Sequence, residues 1–427
     1  MTKRRMCGML AALTACFLLA AGLAQAGTTL TFLSPNAPNV YPAVEALTKA
    51  YSAKNPGVVF DIEQRPGGGE GDNIIKTRLA TDEMADLFVY NSGSLMRALR
   101  PEMTLADLSG LGAMKLIYDD FKKVVSVDGK VYGIPFGTAM VGGVFYNKKI
   151  YEKLGLSVPK SWADFMANCQ KIKDSGIAAP VIQSYRHTWT SQLFVLADFY
   201  NVQAAVPNFA EEYTANKAKY ASTPAAMKGF ERLKAVHDAG FLNKDFGAAT
   251  YNDGLMMLAL GEGAHYPMLS QALAAIKQDF PDELNDIGFF AQPGDDAAKN
   301  GVTVWMPNSI YISEKSKNKE EAKKFLEFVA SPEGMEVYFT ANSAQGPTLI
   351  EGAELPANTP PAVYDMLPYF EEGRTALALE FLSPVKGPSL EQITVEVGSG
   401  MRDPASAAAI YDEDVRKQAR QLKLPGW

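Results

Sequence analysis

Apolar positions between residues 27 and 91 switch between strand spacing and helix spacing. Three short apolar runs, "TLTFLS", "VVFDIEQ" and "DLFVYN", predict strands, the last of them covered on both faces. Between the first two runs, Val40, Val44, Leu47 and Tyr51 share one helical face. The segment "DNIIKTRLA" predicts a second helix with Asp72 as its N-cap. Strand, helix, strand, helix, strand predicts an α/β fold with a parallel sheet.

Two later segments combine a helix-start signal with an apolar stripe. The first, "SWADFMANCQKIKDSG", has a capping box at Ser161 and Asp164, and its stripe assigns Cys169 to the core. The second, "NKEEAKKFLEFVASPEGMEVYF", predicts a helix and then a restart at the Ser-Pro pair 331–332, because serine caps helices and proline suits a first turn.

One apolar stretch, "GIPFGTAMVGGVFYN" at 133–147, is interrupted by a proline and four glycines. Glycine and proline inside a strand indicate a bend, a bulge or a close approach of backbone. Two interpretations follow: a bulged strand within one domain, or a hinge between two domains.

The N-terminus has the layout of a secretory signal peptide, residues 1–26. A basic start, "MTKRR", precedes an apolar run and then "AQA", which predicts cleavage after Ala26 and a periplasmic protein. "LTAC" ending at Cys16 resembles a lipoprotein box, so a lipid anchor at Cys16 is the alternative.

Charge indicates which partners the chain can bind, and cysteine content indicates whether it can form a disulfide. Of 41 basic residues, cleavage removes three (Lys3, Arg4 and Arg5), which leaves 38 against 48 acidic residues and a net charge of 38 − 48 = −10. Such a chain is not expected to bind nucleic acid. Cleavage leaves Cys169 as the one cysteine, so no intramolecular disulfide can form.

Sequence signatures of catalysis and of cofactor binding are missing. The three histidines, His187, His237 and His265, are not spaced as metal ligands, and neither a G-x-S-x-G elbow nor a Walker loop occurs. No cofactor is therefore expected. A carboxylate pair for glycoside hydrolysis stays open, since 48 acidic residues allow many combinations.

Several segments in a fixed order resemble the extracellular solute-binding proteins of bacterial ABC importers, in the carbohydrate-binding branch. They are the export signal, "ADLFVYNSGS", "DGKVYGIPFGTAMVGGVFYNKKIYEKLGLSVPKSWADF" and "YISEKSKNKEEAKKFLEFVASPEGMEVY". The resemblance covers essentially the whole chain after residue 26. It implies a non-enzymatic protein, a monomer that captures a sugar or oligosaccharide and delivers it to the permease subunits of the transporter.

The family fold implies two α/β lobes joined by a hinge, with the ligand in the cleft between them and three chain crossings. Lobe one is predicted as 27–136 plus 306–373, and lobe two as 137–305 plus 374–427. The interrupted stretch then becomes the first crossing, with Gly137, Gly142 and Gly143 as hinge residues that absorb backbone rotation.

Ligands of open α/β sheets bind beyond the carboxyl ends of strands, and family members use the corresponding positions for sugar. The resulting ligand-binding residues are Asn36, Asn91, Ser92, Phe136, Thr138, His187, Trp189, Gln271 and Trp305. Trp189 and Trp305 are expected to offer an apolar face to the sugar C–H groups, with Trp189 preferred for stacking. Gln271 departs from the family, which commonly has an aromatic residue there.

Three alternatives stay open. The same fold could bind a non-sugar solute, such as a phosphate ester or a polyamine; a phosphate ester would need basic residues such as Arg65, Arg186 or Arg374. The chain could also be a secreted polysaccharide-degrading enzyme, or a periplasmic sensor that reports ligand occupancy.

Overall fold

A computed structural model describes residues 27–37 and 40–427. The predicted signal peptide and its Cys16 alternative lie outside the described residues. The strands, in chain order, are β1 (Thr28–Pro35), β2 (Val58–Arg65), β3 (Leu87–Tyr90), β4 (Ser126–Val127), β5 (Lys130–Val131), β6 (Gly133–Pro135), β7 (Met140–Asn147), β8 (Ala179–Val181), β9 (Gly263–Leu269), β10 (Ile287–Phe290), β11 (Val302–Trp305), β12 (Ser309–Ile312) and β13 (Thr375–Leu377).

Helices cover both sheets. They are α1 (Tyr41–Lys54), α2 (Gly68–Ala80), α3 (Ser94–Ala98), α4 (Pro101–Thr104), α5 (Asp119–Val124), α6 (Lys148–Leu154), α7 (Trp162–Ser175), α8 (Leu193–Leu196), α9 (Phe199–Ala205), α10 (Phe209–Thr214), α11 (Pro224–Asp238), α12 (Tyr251–Leu260), α13 (Ala272–Asp279), α14 (Lys319–Val329), α15 (Pro332–Ala341), α16 (Pro361–Tyr364), α17 (Leu367–Glu371), α18 (Leu379–Leu382), α19 (Leu390–Gly398) and α20 (Pro404–Gln421). Short 3-10 turns lie at 112–115, 188–192, 284–286 and 297–299.

The strands form two main sheets, each the centre of one lobe. The five-stranded sheet has the order β2-β1-β3-β12-β6, with β1, β2 and β3 parallel and β12 antiparallel to its neighbours. The six-stranded sheet has the order β13-β11-β7-β9-β8, and β10 pairs with the second half of β7. We call the elements packed on the first sheet lobe one and those packed on the second lobe two. The fold is therefore α/β with two lobes, as the sequence predicted.

The chain passes between the sheets three times. The first passage joins β6 to β7 and the second joins β11 to β12. The third differs. Ile350 still bridges to Ile117 in lobe one, but the Asp365 carboxylate already accepts from the Phe289 amide at 2.9 Å and the Tyr369 hydroxyl accepts from the Ala291 amide at 3.2 Å. Residues 361–373 thus pack on the second sheet, and the third passage precedes the predicted boundary at 373.

The predicted helix starts are confirmed at α7 and α15 but not at α2. The Ser161 hydroxyl accepts from the Asp164 amide at 3.2 Å in a full capping box, and the Ser331 hydroxyl accepts from the Gly334 amide at 3.1 Å. Helix α2, however, begins at Gly68, four residues before the predicted cap. Asp72 lies inside the helix, and its carboxylate pairs with the Lys76 ammonium one turn later at 2.7 Å.

His265 on β9 lies fully buried in the core of lobe two. Its Nδ1 is 2.7 Å from the Pro180 carbonyl oxygen and its Nε2 is 2.7 Å from the Tyr151 hydroxyl. Because a carbonyl only accepts, Nδ1 carries the proton and Nε2 accepts from Tyr151. The neutral ring is satisfied, and burial lowers the pKa of His265 to about 4.

This burial predicts an acid-sensitive fold. An unfolded histidine has a pKa of about 6.5, so the unfolded chain takes up the proton first as pH falls. Between about pH 7 and pH 4 this one group should therefore remove about 3 kcal/mol from the free energy of unfolding. Urea titrations across this range should show the loss in the wild type and not in His265→Gln, while the control His237→Gln keeps it. Parallel pH curves for wild type and His265→Gln would contradict the buried neutral ring.

Candidate functional site

A cavity of about 340 Å³ lies between the two lobes, at the first and second chain crossings. Lobe one contributes Asn91, Ser92, Tyr338 and Gln345, the crossings contribute Phe136, Gly137, Thr138 and Asn308, and lobe two contributes Gln271, Trp305, Glu380 and Phe381. We call it the cleft cavity. A larger cavity of about 740 Å³, beside Tyr118 and Phe370, contains none of the predicted ligand-binding residues.

Six of the nine predicted ligand-binding residues line the cleft cavity. They are Asn91, Ser92, Phe136, Thr138, Gln271 and Trp305. Each follows a strand end or lies at a crossing, as the rule for open α/β sheets requires. Ser270 fixes one of these ends, because its hydroxyl accepts from the Val141 amide at 3.0 Å and so ties the end of β9 to the start of β7.

The other three predicted residues do not line the cleft cavity. Asn36 is exposed at the end of β1. His187 is exposed, and its Nδ1 accepts from the Tyr251 amide at 3.2 Å. Trp189 is half-buried with its ring 5.2 Å from the Tyr251 ring. Trp189 and His187 thus form a separate group around the start of α12.

The three predicted hinge glycines occupy two different kinds of position. Gly137, between β6 and β7, has a φ of +111°, which L-residues rarely adopt. Gly142 and Gly143 instead lie inside β7, paired with β9. A Cβ on Gly142 would lie 2.5 Å from Trp305 Cζ3, and one on Gly143 would lie 2.5 Å from Phe289 Cζ. Close ring packing, and not backbone rotation, is what requires glycine at 142 and 143, so their assignment as hinge residues does not fit their positions.

Side-chain amides in the cleft cavity are free to bind a ligand. Among the described residues, the side chains of Asn91, Gln271, Asn308 and Gln345 make no hydrogen bond to other protein groups, and all four are at least partly exposed. An amide group offers two donors and an acceptor. Burial raises the pKa of Tyr338 to about 12, so its hydroxyl stays protonated at neutral pH.

Of the described residues that line the cleft cavity, Glu380 is the one ionisable acid or base apart from the phenol of Tyr338. Its Oε1 accepts from Trp305 Nε1, and its Oε2 accepts from the Lys386 ammonium at 3.0 Å. Each carboxylate oxygen therefore already accepts a hydrogen bond from a protein donor. Trp305 itself is only 5% exposed and packs against Ala197 and Ala378.

Sequence reasoning missed several residues of the cleft cavity. Asn308 follows β11 in "VTVWMPN" and carries the same strand-end signal as Asn91, so it could have been found. Tyr338, Gln345, Glu380 and Phe381 come from helices and loops that follow β12, where no strand end marks them.

Comparison with known proteins assigns the chain to a family. Residues 34–336, more than half of the chain, match the family profile of the bacterial extracellular solute-binding proteins. The chain belongs to this family. As a solute-binding protein it is a binding component of an ABC transporter and not an enzyme, which confirms the function class predicted from the sequence.

Relatives of this solute-binding protein include named sugar-binding proteins. The multiple sugar-binding protein of Streptococcus mutans is 26% identical over 327 residues, 74% of each chain. The diacetylchitobiose binding protein DasA of Streptomyces coelicolor is 25% identical over 312 residues, 72% of this chain and 70% of the relative.

Solved structures agree on the fold. RafE from Streptococcus pneumoniae in its apo form has a TM-score of 0.76 and 22% identity, over 93% of this chain and 98% of the other. RafE in complex with raffinose has a TM-score of 0.73 and 23% identity, over 93% and 100%.

The described residues contain neither a candidate membrane-spanning helix nor a cluster of metal-binding side chains. Within residues 27–37 and 40–427, no helix is long and apolar enough to cross a membrane. Over the same residues, no three side chains of histidine, cysteine, aspartate or glutamate are grouped so as to hold a metal ion.

Proposed function

We propose that this solute-binding protein captures a neutral sugar or short oligosaccharide in the cleft cavity and delivers it to an ABC importer. The observation that carries the proposal is the cavity's chemistry. Four free amides and the hydroxyls of Ser92 and Thr138 surround a space with aromatic walls. Amides and hydroxyls match sugar hydroxyls, and aromatic rings match sugar C–H faces.

The absence of free charge among the cavity residues favours a neutral ligand. Among the residues that the structure describes, no lysine or arginine lines the cleft cavity, so a phosphate ester would find no cationic partner there. The Arg65 guanidinium is buried and donates to the Val89 carbonyl at 3.0 Å, and Arg374 pairs with Glu372 at 2.8 Å. A polyamine would need carboxylates, but Glu380 already accepts from two protein donors.

The relatives support the same ligand class. Two of them are named for binding multiple sugars and diacetylchitobiose, and RafE was solved with raffinose. We extend this class, and not any one of these sugars, to the present chain.

Transport requires that the two lobes close on the ligand, and we assign the hinge to Gly137. We further propose a periplasmic monomer with no nucleic-acid partner, cleaved after Ala26, whose closed form docks on the permease subunits. Mass spectrometry of the exported protein should give Gly27 as its first residue, and an acylated Cys16 would instead show a lipid anchor.

A thermal-shift screen tests the ligand class. Neutral mono- and oligosaccharides are compared with glucose 6-phosphate and spermidine. At a hundredfold excess over Kd, a true ligand should add about 2.7 kcal/mol to the free energy of unfolding. Small-angle scattering with a confirmed ligand should then show a smaller radius of gyration. Stabilisation by glucose 6-phosphate or spermidine alone would overturn the neutral-sugar proposal, and an unchanged radius at saturation would overturn lobe closure.

A further inference from the structure

Phe381 lines the cleft cavity and also contacts the opposite lobe. It lies on α18 in lobe two, whereas Gly93 follows β3 in lobe one. A Cβ placed on Gly93 would lie 2.6 Å from Phe381 Cδ1 and 3.5 Å from Phe381 Cα. The ring and the first turn of α18 therefore lie directly against the Gly93 backbone. We call this contact the end wall.

Lobe two fixes the position of the Phe381 ring. Leu379 is buried in the core of lobe two, and Glu380 bonds to Trp305 and Lys386. The Ser383 hydroxyl accepts from Thr214 Oγ1 at 2.9 Å. Contacts at Leu379, Glu380 and Ser383 hold α18 to lobe two, and they fix the backbone from which the Phe381 ring projects.

Gly93 provides the other half of the end wall. Its φ of +68° lies in the left-handed region that favours glycine, and its amide donates to the Val124 carbonyl at 2.9 Å. The positive φ and the missing side chain together let the Phe381 ring reach the lobe-one backbone. Any side chain at 93 would occupy the space of the ring.

We infer that Phe381 is a specificity-determining residue that limits the length of the bound saccharide. It both lines the cleft cavity and contacts the opposite lobe, so a longer ligand cannot extend past it on this side. The cavity volume of about 340 Å³ agrees with a short ligand, since small-molecule sites run from about 300 to 1,000 Å³. This inference rests on the proposed binding of a neutral sugar in the same cavity.

The test compares Phe381→Ala with the wild type on saccharides of increasing length. The probes are raffinose, stachyose and chitin oligosaccharides of two to six units, with Kd measured by calorimetry. In the wild type, affinity should fall once the chain exceeds the enclosed length. Phe381→Ala should reduce this discrimination by about tenfold or more, the scale on which a shaped pocket rejects an oversized ligand. The control is Phe328→Ala, a half-buried phenylalanine that does not line the cavity.

A second pair of variants tests the end wall without any ligand. Gly93→Ala places a methyl group against the Phe381 ring, whereas Gly352→Ala carries a similar φ of +77° with its nearest atom, Pro332 Cγ, at 3.7 Å. The apo melting temperature should fall further for Gly93→Ala than for Gly352→Ala. Adding Phe381→Ala to Gly93→Ala should restore part of that difference, because the clash has been removed.

The outcomes separate this inference from the proposed function. If the wild type binds no neutral saccharide, the proposed function is wrong. The melting temperatures of Gly93→Ala, Phe381→Ala and the double variant still test the end wall in that case. If the wild type binds and Phe381→Ala keeps the same length preference as Phe328→Ala, the inference is wrong while the function stands. Additive effects of Gly93→Ala and Phe381→Ala on the melting temperature would also overturn the end wall.

Discussion

Arg232→Leu should lower the free energy of unfolding by about 3–5 kcal/mol, the usual cost of leaving one partner of a buried ion pair alone. The Arg232 side chain, on α11, is 4% exposed and donates to the Asp198 carboxylate, which is 1% exposed. It also donates to Asp295 at 3.1 Å and lies 5.5 Å from the centre of the Trp162 ring. Leucine fills part of the volume but leaves the Asp198 charge buried.

A surface ion pair supplies the matched control. Lys123 pairs with Asp120 at 2.8 Å, with side chains 66% and 47% exposed. Lys123→Leu should cost less than about 1 kcal/mol, because solvent screens exposed pairs. Urea denaturation followed by both tryptophan fluorescence and circular dichroism measures the two variants, and agreement between the two signals checks that the lobes unfold together.

The pH dependence of the same variant tests the cause. Burial raises the pKa of Asp198 and Arg232 opposes that rise, so removing Arg232 should raise the pKa further. An acid whose folded pKa is raised destabilises the fold when it is charged. The cost of Arg232→Leu should therefore be largest near pH 8 and shrink towards pH 5 as Asp198 becomes protonated. A cost that does not change with pH would point to lost packing and not to an unpaired charge.

Local signals made parts of the fold predictable from sequence. Helix α7 carries its own start at Ser161 and an apolar stripe ending near Ile172, and both features lie within one short segment. The third chain crossing has no such signal. Its position depends on contacts such as that of Asp365 with the Phe289 amide, between residues 76 positions apart.

For the candidate site too, some residues could be predicted from the sequence and others could not. The positions of Asn91 and Gln271 beside the cleft cavity could be predicted, because the apolar pattern marks where a strand ends and ligands bind beyond the carboxyl ends of strands. Trp189 also follows a strand, yet it packs on Tyr251 outside the cleft cavity. The apolar pattern could not predict this, because it does not show the direction that the chain takes after β8. Gly142 shows a further limit. The sequence does not reveal whether a glycine is needed for backbone rotation or for close packing, and here the short distance between its Cβ position and the Trp305 ring identifies close packing.

Trp305→Ala should weaken binding of the neutral saccharide identified by the screen by roughly 30-fold to 1,000-fold. Trp305 lines the cleft cavity and orients Glu380 through its indole N–H. Losing the indole removes an apolar wall of the cavity and the donor that holds the Glu380 carboxylate, together about 2–4 kcal/mol, which corresponds to this range of Kd. Because the indole is only 5% exposed, the apo protein should also lose stability, by about 3–5 kcal/mol.

Two further variants separate the ligand effect from the stability effect. Trp305→Phe keeps an aromatic ring but removes the donor to Glu380, so binding should weaken by about tenfold or less, the worth of one hydrogen bond. Trp189→Ala should instead lower the free energy of unfolding by about 1–3 kcal/mol and leave Kd nearly unchanged, because its ring packs on Tyr251 away from the cleft cavity. Calorimetry well below each melting temperature gives the three Kd values. If Trp189→Ala weakens binding strongly and Trp305→Ala does not, the sugar binds beside Trp189 and His187, and the cleft cavity is not its site.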